Sequence, residues 1–64
     1  MTLTQEVIEA GALAMANFDA SQVDCPTLKS VDEFRFDKER DEYLRRSKVV
    51  LAAAIAASKR QGVA

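Results

Sequence analysis

The sequence predicts an all-α protein: a two-helix hairpin, with a short N-terminal and a longer C-terminal helix, assembled as a homodimer of four helices. Three observations predict it. Gly11, Gly62 and Pro26 are the only glycines and proline in 64 residues, and no two β-type runs flank a tight turn. Alanine, leucine, glutamate, lysine and arginine, all good helix formers, dominate the chain. The third is VVLAAAIAA, Val49 to Ala57, which carries no polar side chain. A helix built from it is apolar on every side, and one short partner helix cannot cover it.

The chain reads as a single domain over 1–64, with a helix over about 4–20, a connection over 21–29 and a helix over about 30–60. The first helix starts at Thr4, whose hydroxyl can cap the free N–H groups of the first turn. Leu3 and Ile8 have the spacing of a hydrophobic staple. Glu6 and Glu9 lie early, where negative charge suits the positive helix end. At roughly 100° per residue Ile8, Gly11, Ala12, Met15 and Phe18 form one stripe. Gly11 costs about 1 kcal/mol against alanine in a helix interior, and close approach of a second helix would offset it.

In the connection, Pro26 disfavours helix at Cys25 and removes one donor. Val23 and Leu28 can tuck back onto the helices. The second helix has two candidate starts. Ser30-Val31-Asp32-Glu33 matches a capping box, with Ser30 as the cap and Glu33 reaching back. Asp37 is the other. Phe34 and Phe36, two positions apart, would point to different sides of a continuous helix. The capping box favours the earlier start. Lys59 and Arg60 suit the negative end of this helix, and Gly62 can close it.

On the second helix Leu44, Ser47, Leu51, Ala54, Ile55 and Ser58 share a side, with Phe36 and Tyr43 at its edge. This side is expected to pack on Ile8, Ala12, Met15 and Phe18. Val49, Ala52, Ala53 and Ala56 point elsewhere and form a smooth second face. The plain explanation is that these alanines are helix formers on a wet surface. The alternative is a symmetric dimer, the commonest assembly, through Val49, Ala52, Ala53 and Ala56. Leu13 joins this expected interface because it points away from the first helix's stripe.

Size supports association. Domains of about this length bury only about 60% of the surface of their unfolded chain. They usually add disulfides, a metal or a partner. Cys25 is the only cysteine and there is no histidine. A zinc site would need Cys25 plus carboxylates, so neither metal nor other cofactor is expected. Nine Lys+Arg against ten Asp+Glu give a net charge of −1, which speaks against nucleic acid. MTLTQEVIEA lacks the basic residues and apolar run of a signal peptide. The 49–57 run is about half of the ~20 residues that span a membrane. A cytoplasmic protein is the expectation.

The chain reads as non-enzymatic. Asp37, Glu39, Asp41 and Glu42 alternate with Lys38, Arg40, Arg45 and Arg46. The pairs Asp41–Arg45 and Glu42–Arg46 have favourable helix spacing, which describes a solvated face better than an active site. Cys25 has no histidine to activate its thiol. No Gly-rich phosphate loop is present. The most binding-like stretch is RDEYLRRSK, where Tyr43 sits among Arg40, Arg45, Arg46 and Lys48; tyrosine and arginine often carry interface energy. The competing reading is a solubilising face with Tyr43 at the core edge. A nucleic-acid regulator using Arg45, Arg46, Lys48, Lys59 and Arg60 is the alternative function, and a structural assembly subunit is a third. A helix-turn-helix would want a shorter turn and a third helix, and TLTQEVIEAG makes a poor strand for a ribbon-helix-helix dimer.

Two segments carry a resemblance. LTQEVIEAGALAM, residues 3–15, resembles the opening of many small alanine-rich helical proteins of phages and prophages. RDEYLRRSKVVLAAAIAA, residues 40–57, resembles their second half, in which a charged stretch leads into an alanine-rich helix. Together they cover about half the chain. The 21–29 connection and the Phe34/Phe36 pair depart from the pattern. The resemblance implies a helical hairpin of phage type. Some proteins of this kind bind and disable host factors, including transcription regulators and quorum-sensing receptors. It implies a host protein as partner, in the host cytoplasm, and carries no site motif.

Overall fold

The computed structural model describes residues 2–60. It is a helical hairpin about 40 Å long and 21 by 16 Å across. Helix α1 spans Gln5–Gln22, a single 3-10 turn covers Val31–Glu33, and helix α2 spans Asp37–Arg60. There is no strand among the described residues, and no helix there is long and apolar enough to cross a membrane.

Thr4 caps α1 as its position predicts. Its backbone is extended, and its Oγ1 accepts from the Val7 N–H at 3.2 Å. The helix runs two residues past the expected end at 20 and stops by backbone geometry. Asp24 takes the left-handed conformation at φ 57°. The Cys25 N–H then folds back to the Ala20 carbonyl at 3.0 Å. This is the six-to-one bond of a Schellman-type closure, with aspartate where glycine is usual; a short polar side chain tolerates that region. Pro26 follows, where a helix could not continue.

The second helix begins at Asp37 rather than at Ser30. The Ser30 side chain makes no capping bond. Glu33 accepts instead from the Lys29 N–H at 2.8 Å, and the Glu33 N–H bonds the Ser30 carbonyl at 3.1 Å. The capping-box residues thus close one 3-10 turn and go no further. Phe34 is extended at φ −61°, ψ 133°. The break resolves the conflict between the two phenylalanines. It frees the Phe34 ring to lie on Tyr43, centroids 5.6 Å apart, and leaves Phe36 at the helix start, where its carbonyl takes the Arg40 N–H at 3.1 Å. The connection is therefore 23–36. The expected closure at Gly62 lies outside the described residues.

The helices approach closely at Gly11 and Ser47. A Cβ on Gly11 would stand 2.4 Å from Ser47 Oγ and 3.3 Å from a Leu51 methyl carbon. Ser47 is buried, and its hydroxyl donates to the Ile8 carbonyl at 2.7 Å. Gly11 thus sits where a close approach repays its poor helix propensity. Among the described residues only Ala12, Ala16 and Ser47 are buried. Ile8, Met15, Leu44, Leu51 and Ile55 are half-buried around them.

Three expected packing positions are exposed. Phe18 is 65% exposed although it lies only about 20° round the helix from Gly11; the buried positions of α1 are Ala12 and Ala16. Ala54 and Ser58 are exposed as well. With 24 residues against 18, α2 is the longer helix.

A candidate protein-docking face

The Asn17 amide fastens the connection to α1. Its Nδ2 donates to the Leu28 carbonyl at 2.9 Å, and its Oδ1 accepts from the Leu28 N–H at 2.7 Å. One side chain satisfies both backbone groups of Leu28, as a neighbouring strand would. This clamp holds Phe34 and Phe36 beside the C-terminal half of α1.

Tyr43, two turns into α2, stands at the centre of the surface so formed. Its hydroxyl donates to the Asp19 carboxylate on α1. Phe34 covers one part of its ring, and the Arg46 guanidinium carbon lies 5.8 Å from the ring centre. Bonding to Asp19 pushes the phenol pKa above its usual value of 10.0. Partial burial and the charges of Asp19 and Glu39 add to this, while Arg46 opposes it. The phenol is therefore a firm donor, not an activated base.

The Tyr43–Asp19 bond bridges two open depressions. One, about 350 Å³, is bounded by Ala14, Met15, Phe18 and Arg46. The other, about 510 Å³, runs from Ala16 and Ala20 to Val23, Phe34 and Phe36. Phe18, Val23 and Phe36, each more than 60% exposed, stand on their rims. Large apolar side chains gathered on one face mark interaction sites more than the same residues scattered singly. Cys25 is exposed and lines the second depression.

Of the five residues expected to bind a partner, Tyr43 and Arg46 belong to this face. Arg40 is tied to its own helix by Asp37 and Asp41, each at 3.5 Å. The Glu42–Arg46 pair forms as spaced, at 3.2 Å. The expected Asp41–Arg45 pair does not, because Arg45 turns to Glu42 instead. Arg45 lies about 200° from Tyr43 round α2 and Lys48 about 140°, so neither can share a flat contact with it. Phe18, Asp19, Val23, Phe34 and Phe36 complete the face from outside the RDEYLRRSK stretch. Their signal is the gathering itself, which needs the relative rotation of both helices.

The expected dimer set is also divided. Val49 is 65% exposed, and Ala52, Ala53 and Ala56 are exposed, on the side of α2 turned away from α1. Val50, at 57% exposure, adjoins them. Leu13 is half-buried on α1, one turn before Asn17, and the hairpin does not bring it to this stripe. Among the described residues no group of three or more His, Cys, Asp or Glu is placed to hold a metal ion.

Comparison of the chain with protein-family models, with curated proteins and with solved structures gave no match.

Proposed function

We propose that the chain is a non-enzymatic protein-binding module. It pairs with a second copy of itself and docks on a host protein as a phage-type inhibitor or modulator. A transcription or quorum-sensing regulator is the class of target. The observation that carries this reading is the gathering of Phe18, Val23 and Phe36 around Tyr43 on one side of the hairpin. An aromatic floor with apolar rims is the composition of an interface core, and Arg46 and Asp19 supply polar contacts at its edge. The carboxylates of α2 are solvent-facing or ion-paired, a poor setting for acid–base work. The phage and host parts of the reading rest on the resemblance of residues 3–15 and 40–57.

The test is to capture binding partners from a bacterial host, identify a regulator among them and measure its affinity in purified form. Phe18→Ala, Phe36→Ala and Tyr43→Phe are expected to weaken binding about tenfold or more with circular dichroism unchanged. Equal affinity in all three variants would overturn the assignment of this face.

A further inference from the structure

We infer that the exposed face of α2 is covered by the same face of a second copy running antiparallel. In this pairing Val49 lies against Ala53 of the second copy, and Glu42 against its Arg60. The inference rests on the homodimer reading above and gives it a direction and a register. Residues 42, 46, 49, 53, 56 and 60 fall at alternating spacings of four and three, the seam of a pair of packed helices. The middle of the seam is Val49, Ala53 and Ala56, all exposed, and Val50 widens it. Its ends are charged: Glu42 and Arg46 toward the N-terminal side, Arg60 at the other.

Those ends choose the direction. A parallel pair would set Glu42 against Glu42, Arg46 against Arg46 and Arg60 against Arg60. Like charges would then meet at three seam positions, with the helix dipoles aligned side by side. Antiparallel pairing with Val49 against Ala53 places Arg60 on Glu42 twice, once at each end. It also lays the Arg46 stem over Ala56, with the guanidinium at the seam's edge, where it already pairs with Glu42. Arg45 and Lys59 approach each other at the solvent edge, where Arg45 already shares Glu42. Sliding the register by one repeat in either direction sets Glu42 on Ala53 or Arg60 on Val49, which loses the opposite-charge match. Small side chains at 53 and 56 let the two α2 backbones come close. Because Leu51 faces α1 and the seam faces away from it, each α1 stays on the outside. The Tyr43 face of each copy then borders the seam and shares Arg46 with it.

The experiment uses a nitroxide label at Lys38→Cys in a Cys25→Ser chain, with light scattering on the same sample. Antiparallel pairing separates the two labels by about 40 Å along the axis, at 1.5 Å per residue. Parallel pairing brings them within about 20 Å at either face of the pair. Glu42→Lys is expected to weaken the dimer roughly tenfold, and adding Arg60→Glu to restore it. A dimer with the long distance and this rescue supports the inference. A dimer with the short distance, or without rescue, overturns the antiparallel register and leaves the homodimer standing. A monomer at every concentration overturns the homodimer reading itself.

Discussion

Ser47 on α2 donates its hydroxyl to the Ile8 carbonyl, and the same hydroxyl oxygen stands where a Cβ on Gly11 would clash with it. The two helices are locked at this crossing. Gly11→Ala would gain about 1 kcal/mol of helix propensity, yet the clash is expected to leave a net loss of about 1–2 kcal/mol. In a Ser47→Ala chain the nearest Ser47 atom left is Cβ at 3.6 Å, an ordinary contact. The cost of Gly11→Ala should therefore shrink there, and urea unfolding of the four variants should show coupling of at least about 0.5 kcal/mol. Additive effects would mean that Ser47 does not set the approach.

Asn17→Ala removes both bonds to Leu28. A loss of about 1–2 kcal/mol is expected, with faster exchange of the Leu28 amide hydrogen. Asn17→Asp keeps the shape but turns a donor into a charge facing the Leu28 carbonyl, and should be no better than alanine. Unchanged exchange at Leu28 in both variants would contradict the clamp.

Tyr43 is the only tyrosine, so its ionisation can be followed by ultraviolet absorbance. Its folded pKa is raised above 10.0, chiefly by the bond to Asp19. A raised pKa means that the folded chain holds the proton more tightly than the unfolded one. The resulting stabilisation is full below the unfolded value, near 10, and is lost as pH rises through the higher folded value. Asp19→Asn should bring the titration down toward the ordinary value. Tyr43→Phe should remove this part of the alkaline loss of stability. A titration unmoved by Asp19→Asn would show that the bond is not the cause.

Phe18→Ala and Phe36→Ala separate surface from core. Both side chains are more than 60% exposed, so each is expected to change stability by less than about 0.5 kcal/mol. Ala12→Leu is the contrast. Ala12 is fully buried, and overpacking there should cost about 1–3 kcal/mol. Thermal melts of the three variants check the ordering.

Much of this architecture is legible in the residues. The Thr4 cap, the close approach at Gly11 and the hairpin itself follow from local pattern, since capping and helix periodicity act over four residues. The start of α2 does not, because the Ser30–Glu33 box and the Phe34/Phe36 conflict point to different residues. Packing Phe34 on Tyr43, nine residues on, decides between them. The Asn17–Leu28 clamp joins residues eleven apart through a loop and has no periodic signature. Phe18 shows how a helical stripe misleads at its end. Whether a residue two turns along the stripe from Gly11 is covered depends on whether the partner helix follows the stripe that far. For the same reason only Tyr43 and Arg46 of the docking face could be picked from RDEYLRRSK, while its α1 half stayed hidden.

Light scattering across a range of concentrations tests most directly whether a second copy covers the Val49–Ala56 face. A molar mass of twice the 7.0 kDa chain, falling toward one chain in Val49→Asp, is the expected result. A mass of one chain throughout, with Val49→Asp indistinguishable from the parent, would contradict the account and leave that face of α2 to a different partner.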